Sequence, residues 1–260
     1  TDPALHAEWL QKARHAYDYR NNRLADMTDE AVEEFYTCTL CQSFAPTHLC
    51  LVSPQRLGLC GAYNYLDCAA SFQINPTGPN QPIRKGMAID KTMGIYSGLN
   101  EIAVQKSNGT VQEVAMYSIM NSPMTACGCF ECIVMLIPEA NGVMVVSRED
   151  TSMTPAGMTF STLAGMAGGG LQTPGVMGVG KYYLTSPKFI SADGGFKRIV
   201  WMSSVLKQTM AAELQAVVER EGDPDLIGKI ADETICTDVD GLLAHLESTG
   251  HPALMMDPMF

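Results

Sequence analysis

Apolar residues recur at helical spacing early in the chain. Leu5, Trp9, Leu10, Ala13 and Tyr17 share one face and predict a helix from about Ala4 to Leu24. Thr28, followed by Asp29 and Glu30, reads as a cap opening a short helix up to about Tyr36. Residues 37–86 lose all periodicity and, rich in Pro, Gly, Cys and Asn, read as irregular loop. A helix is expected over about 92–107. Strands are expected at Val114–Ile119, Gly142–Ser147 and Lys181–Thr185. The apolar run Phe130–Ile137 fits either a helix or a strand. A strong amphipathic helix follows from about Ser204 to Glu221, with shorter ones near 224–233 and 238–248. The expected fold class is α/β in the mixed α+β sense: a small mixed sheet flanked by helices that gather at both ends, with the chemistry in irregular loops.

Composition narrows the functional classes. The chain has 260 residues, 46% of them hydrophobic and 17% charged, which excludes a disordered chain. A net charge of −11 argues against nucleic acid or an anionic membrane as partner. The first 30 residues carry no apolar targeting segment, and Ile133–Ile137 is far too short to span a bilayer. The expected location is therefore cytoplasmic, a reducing compartment where clustered cysteines more often hold metal or do chemistry than pair. The chain starts at Thr1, which fits a processed chain or part of something longer.

There are nine cysteines. Four of them, Cys38, Cys41, Cys50 and Cys60, fall in one Gly/Pro-rich stretch and suffice for one metal centre. Zinc ribbons usually show two CxxC knuckles. Here one CxxC is followed by wide single spacings, which favours a [4Fe–4S] cluster over zinc. The tripeptide Cys127-Gly128-Cys129 is more specific. If the amides of Gly128 and Cys129 deprotonate, it offers two sulfurs and two nitrogens in one plane. That donor set suits Ni(II) or Cu(II) and not tetrahedral zinc. Glycine is expected in the middle because a Cβ would crowd a flattened backbone. Thiolates bound this way keep lone pairs and can bridge to a second soft metal, whose third sulfur could come from the first cluster.

The segments that carry this pattern resemble the acetyl-CoA synthase family, the partner of carbon monoxide dehydrogenase. They include CTLCQSFAPTHLCLVSPQRLGLCGAYNYLD (38–67), INPTGPNQP (74–82), NSPMTACGCFEC (121–132), 153–180, KFISADGGFKRIVWM (188–202) and GHPALMMDP (250–258). The resemblance implies a single C-terminal domain over residues 1–260 that carries the family's nickel–iron–sulfur A-cluster, with the N-terminal and middle domains missing. It implies that Cys38, Cys41, Cys50 and Cys60 ligate the [4Fe–4S] cubane. Cys41, Cys127 and Cys129 would hold a proximal nickel, a position that copper or zinc could also take. The sulfurs of Cys127 and Cys129, with the backbone nitrogens of Gly128 and Cys129, would hold a distal nickel. Phe44 matches an aromatic that gates access. The implied reaction joins a methyl group from a corrinoid iron–sulfur protein, CO and coenzyme A into acetyl-CoA. Carbon monoxide dehydrogenase is a partner only of the full-length enzyme. The competing readings are a [4Fe–4S] electron-transfer protein and a structural zinc module.

Cys68, Cys132 and Cys236 receive no role. His48 is expected as an outer donor or a surface residue, Arg56 and Lys85 as charge partners of the cluster or surface ion pairs, and His6, His15, His245 and His251 as solvated. The formal GxxxxGK at Gly175–Lys181 lacks the Ser/Thr and helix of a phosphate loop, so its glycines are assigned to close packing. The seventeen methionines are read as core filling.

Overall fold

The computed structural model describes residues 2–260. Helix α1 spans Pro3–Asn22 and is opened by the Asp2 carboxylate, which accepts from the amides of Ala4 and Leu5. The chain continues through β1 (Glu34–Cys38), β2 (Cys50–Val52), α2 (Tyr65–Ile74), β3 (Asn80–Arg84), β4 (Ala88–Asp90), β5 (Ile95–Tyr96) and α3 (Ser97–Lys106). It then forms β6 (Cys132–Ile137), β7 (Gly142–Ser147), α4 (Phe160–Ala167), β8 (Val176–Val179) and β9 (Ile199–Met202). Four helices close the chain: α5 (Ser204–Thr209), α6 (Ala211–Glu221), α7 (Leu226–Lys229) and α8 (Val239–Thr249).

The largest sheet runs β8-β6-β7-β9 and is mixed, with β7 and β9 parallel and the other pairs antiparallel. It is buried on both faces. Cys132, Val134, Val143, Val145, Met177 and Val179 point into one apolar cluster. Ile133, Ile137, Met144, Val146 and Val176 point into the other, which also contains Cys38, Cys50, Ala126 and Phe130. Double-sided burial makes the strands continuous apolar runs, so periodicity alone could not separate strand from helix at Phe130–Ile137. Register decides it: Cys132–Ile137 pairs with both β7 and β8.

The second sheet, β2-β1-β3, holds the first cysteines and corrects two expectations. Tyr36 lies in the middle of β1, opposite Val52 and Pro82, and does not end a helix. Residues 37–86 contain two strands and α2 besides the end of β1, and are not uniformly irregular. Their pairing partners are too distant in sequence for local pattern to reveal them. Val114–Ile119 is buried but is no strand. Its backbone donors are used by Asn100 Oδ1, Ser122 O, Met93 O and Asp193 Oδ2. Lys181–Thr185 is a 3-10 turn, begun when the Glu131 carboxylate accepts from the Lys181 amide at 2.9 Å. The helix expected over 204–221 breaks at Met210, whose ψ of 21° is not helical, and the one near 224–233 shrinks to α7. α4, β8 and β9 were not foreseen. α1 forms where expected but buries no residue; Trp9 is 61% exposed. Among the described residues, no helix is long and apolar enough to cross a membrane.

Candidate metal centre

Antiparallel pairing of β1 and β2 sets Cys38 directly opposite Cys50, which brings two thiols to the same face at one end of the strand pair. Both are buried. After Cys38 the chain tightens into a 3-10 turn, Leu40–Ser43, which presents Cys41. The carbonyl of Cys41 accepts from the amides of Phe44 and Ala45 at 3.0 and 3.1 Å. Cys60 is exposed on a turn closed by Gly61 N–H to Gly58 O. Arg20 at the end of α1 braces that turn, donating to the carbonyls of Ala62 at 3.1 Å and Gly61 at 3.4 Å. Two of the four cysteines thus stand on paired strands and not in loops.

The second loop, Ala126–Cys129, enters β6 through Phe130, which is 1% exposed and anchors it. The glycine-rich segment after α4 lies along this loop. Gly169 N–H donates to Cys127 O and Gly170 N–H to Ala126 O, each at 2.8 Å. Gly170, at φ +79°, also touches the first cysteine loop: a methyl there would come within 2.2 Å of Thr47 Oγ1. The glycines therefore serve close packing, as expected, and Gly175–Gly180 is mostly strand β8.

These supports converge three thiols. The sulfurs of Cys41, Cys127 and Cys129 all lie within 4.8 Å of one another. The Cys127 and Cys129 sulfurs are 2.7 Å apart without a disulfide, and the Cys129 amide donates to the Cys127 sulfur at 3.3 Å. Such a donor set is soft and convergent, and it fits a thiophilic metal. Among the described residues, no three of the first four cysteines meet within that distance. A cubane would not ask for it, because each thiolate would bind a different iron.

Electrostatics separates the thiols. Hydrogen bonding from Cys129, helped by the nearby His48, pulls Cys127 well below the ordinary thiol range against the opposing cost of burial, and the shared proton pushes Cys129 up. Burial pushes Cys50 up to about 12, only partly offset by the Leu59 amide, and raises Cys38 and Cys41. If these thiols ligate a metal, its positive charge would be what ionises them.

His48 is 1% exposed beside Cys127, its Nδ1 paired with Thr125 Oγ1 at 3.0 Å and its Nε2 without a partner among the described residues. It is an inner neighbour of the thiols and not a surface residue. Phe44 lies one turn beyond Cys41, 87% exposed. Among the described residues, Arg56 and Lys85 form no surface ion pairs. Arg56 is buried against the Tyr183 ring, and Lys85 donates to the carbonyls of Asp29 and Val32. Cys68, Cys132 and Cys236 are buried, and burial raises each thiol. His251 is also buried, against the expectation of a solvated residue.

Gly128 has a φ of +148°, a region that favours glycine, and beyond its two chain neighbours an added Cβ would meet nothing within 4 Å. The backbone conformation of the tripeptide itself calls for glycine here. Sequence reasoning missed Arg148, whose guanidinium donates to the Gly128 carbonyl. In the polar stretch Ser147-Arg-Glu-Asp it looks like any surface charge, and no local signal distinguishes it.

With this geometry in view, the comparisons agree on one family. The family model for the C-terminal part of the ACS/CODH beta subunit matches residues 17–260. The "Carbon monoxide dehydrogenase/acetyl-CoA synthase subunit alpha" of Moorella thermoacetica is 53% identical over 100% of this chain and 36% of its own length. The "Acetyl-CoA decarbonylase/synthase complex subunit beta 2" of Methanocaldococcus jannaschii is 44% identical over 97% of this chain and 52% of its own. A solved structure of the C-terminal domain of an acetyl-coenzyme A synthase alpha subunit matches 52% of this chain and 100% of that one, at 55% identity and a TM-score of 0.49. The chain thus spans between about a third and a half of the length of these curated relatives. By the extent of the family match and the identity across its full length, this chain belongs to the family formed by the C-terminal part of the ACS/CODH beta subunit.

Proposed function

We propose that this chain carries a nickel–iron–sulfur centre at which acetyl-CoA is formed from CO, a methyl group delivered by a corrinoid iron–sulfur protein, and coenzyme A. The observation that carries the reading is the convergence of Cys41, Cys127 and Cys129 beside the Cys38/Cys50 strand pair. In this reading Cys38, Cys41, Cys50 and Cys60 hold a [4Fe–4S] cubane. Cys41, Cys127 and Cys129 hold a proximal nickel. The sulfurs of Cys127 and Cys129, with the nitrogens of Gly128 and Cys129, hold a distal nickel. When bound, the centre supplies the carbon–carbon and carbon–sulfur bond formation that no side chain here performs.

The chain's own residues ligate, brace and limit access. The glycine-rich segment fixes the Cys127–Cys129 loop. His48 offers a buried nitrogen beside Cys127 and favours its thiolate. Phe44, exposed one turn beyond Cys41, would screen access to the three-sulfur group in this reading. Acid–base catalysis by a side chain has no place in this scheme. The Moorella thermoacetica relative, named as a subunit of a carbon monoxide dehydrogenase/acetyl-CoA synthase, makes that dehydrogenase the expected partner of the complete enzyme.

Metal analysis of anaerobically prepared protein tests the reading. We expect about two nickel for every four iron, from the donor count. Iron without nickel would overturn it in favour of electron transfer, and zinc alone in favour of a structural module. Copper or zinc replacing one of the two nickels would keep the site but predicts inactive protein, recoverable by nickel.

A further inference from the structure

Arg148 is an exposed arginine used on a single carbonyl. Its guanidinium donates to Gly128 O at 2.5 Å and lies 5.8 Å from the centroid of the Phe130 ring. Its backbone is fixed at the end of β7, where its amide donates to Glu131 O at 2.9 Å. Glu131 and Glu149 are close in sequence, yet among the described residues Arg148 forms no ion pair; Glu131 pairs with Lys181. The cation is directed at one peptide oxygen.

That oxygen is chemically particular. Gly128 C=O belongs to the peptide whose nitrogen is Cys129 N, and Cys127 C=O to the peptide whose nitrogen is Gly128 N. A peptide nitrogen that serves as a metal donor is an amidate, and its negative charge is shared with the carbonyl oxygen of the same peptide. In this structure both oxygens have a donor: Arg148 on Gly128 O, and Gly169 N–H on Cys127 O at 2.8 Å. A charge-assisted bond gains most when its acceptor becomes anionic.

We propose that Arg148 is the positioning residue that makes the Gly128–Cys129 peptide a nitrogen donor, by carrying its amidate charge on Gly128 O, with Gly169 N–H doing the same for the neighbouring peptide. This rests on the square-planar part of the function proposed above. Nickel bound at these nitrogens would replace one N–H proton per peptide, which would pass to solvent, with no electron transferred. Cd(II), which binds thiolates without needing an amidate, gains nothing from Arg148.

The test uses intact protein loaded with iron and sulfide, stripped of nickel, and titrated with Ni(II) alone or Cd(II) alone under anaerobic conditions. Arg148→Met is expected to weaken nickel binding tenfold or more and to reduce the visible ligand-field band of square-planar nickel, while cadmium affinity stays within twofold. Arg148→Lys, which keeps the charge, is expected to recover most of the nickel affinity. It also preserves the test should Arg148→Met fold poorly. Nickel affinity and spectrum unchanged in Arg148→Met would overturn the inference alone, as would equal losses for nickel and cadmium, which would mean that Arg148 only packs the loop. Wild-type protein that takes up nickel without the square-planar band would instead overturn the two-nickel reading itself.

Discussion

Gly128 is held at φ +148° in open space, between two cysteines whose sulfurs lie 2.7 Å apart. An L-residue there is strained by about 1–3 kcal/mol whatever the room around it. Gly128→Ala is therefore expected to leave the bulk of the fold intact and to loosen nickel about tenfold, read by competition with a chelator. Unchanged nickel retention would show that the loop reaches its metal-bound form without this conformation. The six cysteines of the proposed centre stand out in the sequence because thiolate spacing is itself a chemical signal. Their neighbours were not. His48 and Arg148 act through contacts with residues 79 and 20 positions away, Cys127 and Gly128 respectively, and an isolated His or Arg carries no mark of such a contact.

The glycine-rich segment after α4 clamps the two cysteine loops together. Gly170 and Gly169 both have positive φ, at +79° and +71°. Only Gly170 has backbone and side-chain atoms of Thr47 and His48 against it; a methyl on Gly169 would meet nothing within 4 Å. Gly170→Ala should thus cost about 2 kcal/mol more than Gly169→Ala, from overpacking added to a shared backbone strain. Urea denaturation of the two variants measures the difference. Gly170→Ala should also release metal faster, because Thr47 and His48 lie between Cys41 and Cys50. Equal stability of the two variants would show that the clamp yields freely. Elements with their own local code were readable: α1, α3, β7 and α8 fall close to where spacing and caps place them. The strands β1, β2 and β3 were hidden in a stretch that reads as loop, since a three-residue strand such as β2 is specified by the strand beside it and hardly at all by its own sequence.

His251 ties the C-terminal segment to the sheet. Its Nε2 donates to Ile199 O at 3.0 Å, and its Nδ1 accepts from the Ala253 amide at 3.2 Å. The second bond needs an unprotonated Nδ1, and burial lowers the pKa of the ring from 6.5 to about 4. The folded state thus binds this proton less readily than the unfolded one. Its contribution is fully present above pH 6.5 and is lost as the pH falls toward 4, on the order of 3 kcal/mol in all. Denaturation at pH 7 and pH 5 should show a drop in wild type and a smaller one in His251→Asn. An identical drop in both would assign the acid sensitivity to other groups.

The chain's sequence alone determined the proposed donor set: four cysteines at wide spacing, a Cys-Gly-Cys and the family pattern around them. These are covalent facts about which atoms are present, and metal chemistry follows from atom type. It also determined the mixed class of the fold, because helical and strand-like patterns occur in one chain. Only the tertiary structure decided how closely the sulfurs of Cys41, Cys127 and Cys129 approach and that Cys38 faces Cys50 across a strand pair. It also decided that a buried histidine and a surface arginine attend the Cys127–Cys129 loop. Those outcomes depend on register and on close approach of segments as much as 123 residues apart, such as Thr47 and Gly170. Pairing of this kind is settled by the packing of the whole chain and leaves little trace in any one segment.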